Sequence, residues 1–201
     1  MTTSVQTNGI ISEYLETINL LRGRIIVGMC RFSYWSYQEY IDSFYSKELI
    51  ESHPLKHEYF SLISGALLIE LDSGLVIGFN GDSELNSVIV WIEVNEVGET
   101  EDEEDLLRSD PDLLPIQATD KEYSNTFWAH FIGQKISRFQ ILKEVPKTVM
   151  HEDLPNETGL IITVESGQEF LMYHDGSDFR LHRASWIKES IEDETVLILL
   201  G

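Results

Sequence analysis

Cysteine is nearly absent: Cys30 is the only one in 201 residues. An internal disulfide is excluded, and the composition suits a reducing cytosol. Basic residues are also scarce. Fourteen Lys and Arg stand against 35 Asp and Glu, for a net charge of −21. Nucleic acid and anionic membrane surfaces would be repelled, so neither is expected as a partner, whereas a basic protein domain fits the sign. No apolar run approaches the roughly 20 residues that span a bilayer. The opening "MTTSVQTNGIISEYL" lacks a basic region followed by an apolar stretch, so no secretory signal is expected and the cytoplasm is the expected location.

Catalytic signatures are missing too. No G-x-S-x-G elbow, no Gly-Lys phosphate loop and no G-x-G-x-x-G occur. His53 and His57 stand four apart, but Pro54 separates them and no third ligand follows, so they read as a polar connection. Asn80, Asp82 and Glu84, and likewise Asp175 and Asp178, are turn formers before they are calcium ligands. Cys30 sits in the apolar run "IIVGMCRF" and reads as a small buried hydrophobe. His182 alternates with Leu181 and is expected at the surface with Arg180 and Arg183. No catalytic residue, metal or cofactor is expected from these patterns.

What is present is a repeat. "GALLIELDSGLVIGFNGDS" at Gly65–Ser83 is echoed by "GLIITVESGQEFLMYHDGSD" at Gly159–Asp178. Leu67, Ile69 and Leu71 alternate, as do Leu160, Ile162 and Val164, the period of a half-buried strand. Both runs end in an acid, Ser and Gly, and the glycine suits a hairpin turn. Second turns are expected at Asn80-Gly81-Asp82 and Asp175-Gly176-Ser177, and last strands near Trp91 and Trp186.

Each half also opens with a helix. Ile11, Leu15, Ile18 and Leu21 share a helical face before Gly23. Tyr123, Phe127 and Phe131 do so before Gly133, with Thr119 and Glu122 as the expected capping box. The first half has room for an extra helix near 36–50, capped by Ser36 and Glu39, with Trp35 stapling onto Tyr40. The run ending "KEVPKTVMHEDLPNET" reads as a loop. The apolar tail "ETVLILLG" reads as a last strand added to a sheet.

The fold expected is α+β: two related β-rich modules, each a leading helix plus an antiparallel meander, as partly open barrels or sheets, packed as one pseudo-symmetric unit. The modules span 1–93 and 119–201. Between them, 94–118 forms an acidic linker, with ten acids and one base from Glu93 to Asp112. Residues 1–120 carry −16 of the net charge and 121–201 carry −5.

The acids Glu99, Glu101, Asp102, Glu103, Glu104 and Asp105, with Asp82 and Glu84, are therefore the expected face toward a basic partner. The dense aromatic group Phe32, Tyr34, Trp35, Tyr37 and Tyr40 is mostly core, with Tyr34 and Trp35 as candidate interface anchors.

In "GLIITVESGQEFLMYHDGSDF", the order of hydrophobic strand, ESG, aromatic strand and DG resembles the small immunity proteins of bacterial polymorphic-toxin and contact-dependent inhibition systems. That resemblance implies a cytoplasmic protein that binds a toxin domain, a basic nuclease for example, and blocks its active site. A hydrolase using an unrecognised carboxylate or His site, and a non-catalytic scaffold, are the alternative readings.

Overall fold

The computed structural model describes residues 9–45, 53–100, 107–146, 149–183, 185 and 195–200. The first half holds β1 (Gly9–Ile10), α1 (Leu15–Leu21), β2 (Ile26–Ser33), α2 (Tyr37–Phe44) and α3 (Tyr59–Leu62). The strands β3 (Leu67–Leu71), β4 (Val76–Asp82), β5 (Ser87–Val94) and β6 (Leu114–Gln117) complete it. The second half holds α4 (Thr126–Ala129), β7 (Ile136–Glu144), β8 (Gly159–Val164), β9 (Glu169–His174), β10 (Phe179–Arg183) and β11 (Thr195–Leu200).

Two antiparallel sheets result, with the same plan. The first has the order β1-β5-β4-β3-β2-β6 and the second β10-β9-β8-β7-β11. Apart from β1, every strand has a counterpart in the same place. Even the irregularity repeats: the register slips between Ile26 and Gly28 in β2 and between Ile136 and Arg138 in β7. The sheets are open, and neither closes into a barrel among the described residues. The apolar tail is the outer strand β11, paired antiparallel with β7.

A pseudo-twofold axis runs through the residues after the two leading helices. Gly23 N–H donates to Ile136 O at 2.9 Å, and Gly133 N–H donates to Ile26 O at 2.7 Å. Ile136 N–H donates to Arg24 O, and Ile26 N–H to Gln134 O, both at 2.9 Å. Ile25 and Lys135 bridge at the centre. Both glycines have positive φ, +76° and +83°, a region that favours residues without a Cβ. The chain can turn out of each helix and at once pair with its counterpart.

This pairing makes one core of two small sheets. Ile18 and Leu21 of α1 lie in one cluster with Trp128 of α4 and Phe131. Ile69, Ile77 and Val90 join from the first sheet, and Phe139, Ile162 and Phe170 from the second. Neither meander alone would bury enough apolar surface to be stable.

Several local expectations change. The second leading helix does not start at Thr119. Asp120 Oδ1 accepts from Glu122 N at 2.8 Å and holds a turn there. The helix is capped instead by Asn125, whose side chain accepts from Phe127 N at 3.0 Å. Asn80-Gly81-Asp82 is not a turn but the end of β4. The turn comes after it, where Asp82 Oδ1 accepts from the amides of Glu84 and Leu85 and Asn86 takes φ +46°. The turns at Gly74 and Gly167, and at Gly176, do have positive φ.

Within 94–118 the chain supplies β6, and Leu107 and Leu113 cover Cys30, Phe32, Leu68 and Trp91 on the outer face of the first sheet. Trp91 Nε1 donates to Glu93 at 2.7 Å, and the other carboxylate oxygen accepts from Leu107 N at 2.9 Å. Trp186 lies outside the described residues. Strand pairing gives Trp91 a different counterpart: Trp91 faces Gly78 across β4, and the equivalent pair in the second sheet is His182 and Leu171.

Candidate functional site

The capping box at Ser36 forms as expected: Ser36 Oγ accepts from Glu39 N, and Glu39 Oε2 accepts from Ser36 N at 2.7 Å. It starts α2 directly after Tyr34 and Trp35, which stand out on the bend between β2 and α2. The bend is fixed from below. Buried Ser33 Oγ accepts from Trp35 N at 3.2 Å, and both Ser33 Oγ and Tyr59 Oη donate to Trp35 O, at 2.8 and 2.5 Å.

Trp35 does not staple onto Tyr40. It stacks on Phe44, one turn further along, with centroids 5.4 Å apart and planes 26° apart. Tyr40 then packs on Phe44 at 5.1 Å and on Tyr59 at 5.4 Å. A continuous aromatic row thus runs from the buried Tyr59 to solvent. Its outer members are open, Phe44 65% and Trp35 41% exposed, and Tyr34, beside them on the cleft rim, is 68% exposed. Apolar rings this exposed, and joined to one another, mark interaction surfaces more often than accident.

The row forms one wall of a cleft of about 560 Å³. Tyr45, Leu62 at the end of α3 and residues 63–65 after it complete the near side. Asn80 of β4 and Asp178 and Arg180 of the second module form the far side. Such a volume lies in the usual range for ligand pockets, about 300–1,000 Å³.

Arg31 braces this cleft from within the core. It is fully buried on β2, where its counterpart in the second module is Ile141. Its guanidinium donates to Gly65 O at 2.6 Å, Phe179 O at 2.9 Å and Phe60 O at 3.5 Å, and lies 5.3 Å from the centre of the Phe179 ring. One cation therefore ties the cleft loop, α3 and β10 together. Gly65 is needed there for space, since a Cβ would lie 1.8 Å from Phe32 O.

Burial shifts several titrating groups in and near the cleft. Burial, then the Arg180 charge, lowers Arg31 to about 9. Burial raises the Tyr40 phenol to about 12, helped by Tyr45. His182 falls to about 4 through burial and then the charges of Arg180 and Arg31. It is only partly exposed, not a free surface histidine. Arg180 pairs with Asp178 at 2.6 Å.

Of the expected partner-facing residues, Tyr34 and Trp35 line the cleft. Asp82 and Glu84 lie at the turn beyond Asn80, with Glu84 exposed. Glu99 is exposed at the opposite end of β5, where its amide donates to Asn95 Oδ1 at 2.9 Å. Glu101, Asp102, Glu103, Glu104 and Asp105 lie outside the described residues. The sequence reading missed Phe44, Tyr45, Asn80, Asp178, Arg180 and the brace Arg31. Asn80, Asp178 and Arg180 stood out there only as turn formers and a surface cation, and Arg31 only as the one charge inside the run Ile25–Phe32.

A smaller cavity of about 310 Å³ lies beside Cys30, Glu70 and Arg108. Burial pushes the Cys30 thiol up to about 11, which keeps it protonated and unreactive at neutral pH. Among the described residues, no group of three or more His, Cys, Asp or Glu is placed to hold a metal ion.

Comparison with family models, curated proteins and solved structures returned no match.

Proposed function

We propose that the protein binds and neutralises a basic protein domain, specifically as an immunity protein for a bacterial toxin. The observation that carries this reading is the exposed, stacked pair Trp35–Phe44 with Tyr34 beside it, over a bend hydrogen-bonded from below at Trp35, on a molecule of net charge −21. Tyr and Trp are the side chains that most often anchor protein interfaces, because they bury much area at little entropic cost. The ordered bend and its buried Ser33–Tyr59 support mean that little freedom is lost on binding. The net negative charge of the molecule would steer a basic domain toward it.

A hydrolytic reading has less support. A general acid or base works best with a pKa near the operating pH. Tyr40 and His182 are displaced away from it, and Arg31, though lowered to about 9, is fully buried with its guanidinium bonded to main-chain carbonyls. Asp178 is already engaged by Arg180.

The test is copurification of the tagged chain from its native host, with retained proteins identified by mass spectrometry. The reading expects a stoichiometric partner with a basic domain whose toxicity is suppressed by the bound chain. Recovery of acidic partners only, or full toxicity in the complex, would contradict it.

A further inference from the structure

We infer that the aromatic cleft takes an arginine side chain presented by the partner, stacked on the Trp35–Phe44 face and turned toward the Asp178 wall. This rests on the binding reading above and names its anchor.

The chemistry of the walls points to a planar cation. One side of the cleft is aromatic: Tyr34, Trp35, Tyr40, Phe44 and Tyr45. The other offers the Asp178 carboxylate and the Asn80 amide, together with Arg180, whose charge is already paired with Asp178. A cation placed over aromatic faces is attracted by the ring quadrupole, and a guanidinium stacks flat as well. Arginine is also less strongly hydrated than lysine, so it enters a half-apolar cleft at smaller cost.

The molecule uses the same pairing for its own cations. Arg183 lies 4.6 Å from the Phe127 ring centre, Lys56 4.8 Å from that of Tyr123, and Arg31 5.3 Å from that of Phe179.

The cleft's own cations leave room for another. Arg180 engages Asp178 through Oδ2, and a carboxylate has about four acceptor sites. Asp175 places a second negative charge near Arg180. Arg31 turns its Nη1 and Nη2 donors to main-chain carbonyls, and it does not line the cleft. With −21 over the whole molecule, an incoming cation is favoured at long range and an anion is not.

The test needs no identified partner. The full chain is titrated with N-acetyl-arginine methylamide, N-acetyl-lysine methylamide and the neutral isostere N-acetyl-citrulline methylamide, followed by tryptophan fluorescence and NMR shifts. The arginine amide should bind in the millimolar range, lysine more weakly, and citrulline about tenfold more weakly than arginine, as loss of the cation–π and ionic contacts implies. Tyr34→Ala and Trp35→Ala should each remove most of the binding, and Asp178→Asn should weaken it severalfold. The citrulline comparison is made on the unaltered chain, so it decides the matter even where a variant fails to fold. Equal binding of citrulline and arginine, or no arginine binding, overturns the anchor. Copurification can still recover a basic partner in that case, so failure of the anchor and failure of the binding reading are separate results.

Discussion

Gly81 and His174 occupy equivalent positions in the two modules, and one fills the space the other leaves open. Gly81 is near the end of β4 and His174 ends β9, and a Cβ on Gly81 would lie 2.3 Å from His174 Nδ1. The imidazole is buried between the modules, and among the described residues neither ring nitrogen has a hydrogen-bond partner. Exact twofold symmetry would place two like residues here, and two histidines would not fit.

The pair gives a direct test of the packing. Gly81→Ala should destabilise the protein by about 1–3 kcal/mol, the usual cost of overpacking. In Gly81→Ala/His174→Ala the clash is gone, so the two losses should be clearly non-additive in urea denaturation. Additive losses would mean that the two residues do not compete for the same space.

The same histidine predicts a pH dependence. Burial lowers its pKa, against the opposing pull of Asp175, Asp82 and Asp178. Above the unfolded value, near 6.5, both states hold the neutral ring and nothing is lost. Below it the unfolded state binds a proton that the folded state resists, so stability falls as pH drops. His182, lowered to about 4, contributes a loss of the same sign from about 6.5 down toward 4. Denaturation curves from pH 7 to 5 should show a smaller decline for His174→Gln than for the parent chain. Parallel declines would contradict this.

Arg31 should be one of the most sensitive positions in the core. Arg31→Ala leaves the carbonyls of Gly65 and Phe179 without their donor and opens a cavity. A loss of at least about 3 kcal/mol is expected. Arg31→Lys should recover only part of it, since an ammonium lacks the second nitrogen that reaches Phe60 O and the planar group over the Phe179 ring. Full stability in Arg31→Lys would show that the charge alone, not the geometry, matters.

Much of this fold was legible in the chain. The paired helix-ending glycines, the DSG and ESG turns and the alternating Leu67-Ile69-Leu71 and Leu160-Ile162-Val164 are local signals, and each marks a matching element. The turn after β4 was misplaced because Asn80-Gly81 looks like a hairpin turn, whereas Gly81 is there to admit His174. Half of the cleft was not legible. Tyr34 and Trp35 sit beside a strong cap and could be found, but Asp178 and Arg180 arrive from the other module through the twofold pairing. No spacing in the sequence records that contact.

The acidic run Glu101-Asp102-Glu103-Glu104-Asp105 carries a kinetic prediction. Exposed charges are screened beyond about 8 Å at physiological salt. Changing all five to Asn and Gln should therefore slow association with a basic partner by about tenfold at low salt and leave dissociation nearly unchanged. The difference should shrink as salt rises. Equal association rates at low salt would assign these charges to solubility alone.

The most direct test of the whole account is the affinity of the copurified partner for the parent chain and for Tyr34→Ala/Trp35→Ala, measured alongside the thermal midpoint of each. Tyr34 is largely exposed and Trp35 gives up only its stacking on Phe44, so the midpoint should fall by no more than a few degrees. If they anchor the interface, the dissociation constant should rise by at least about thirtyfold, mainly through faster dissociation. An affinity within twofold of the parent chain, in a variant that folds equally well, would contradict the central claim.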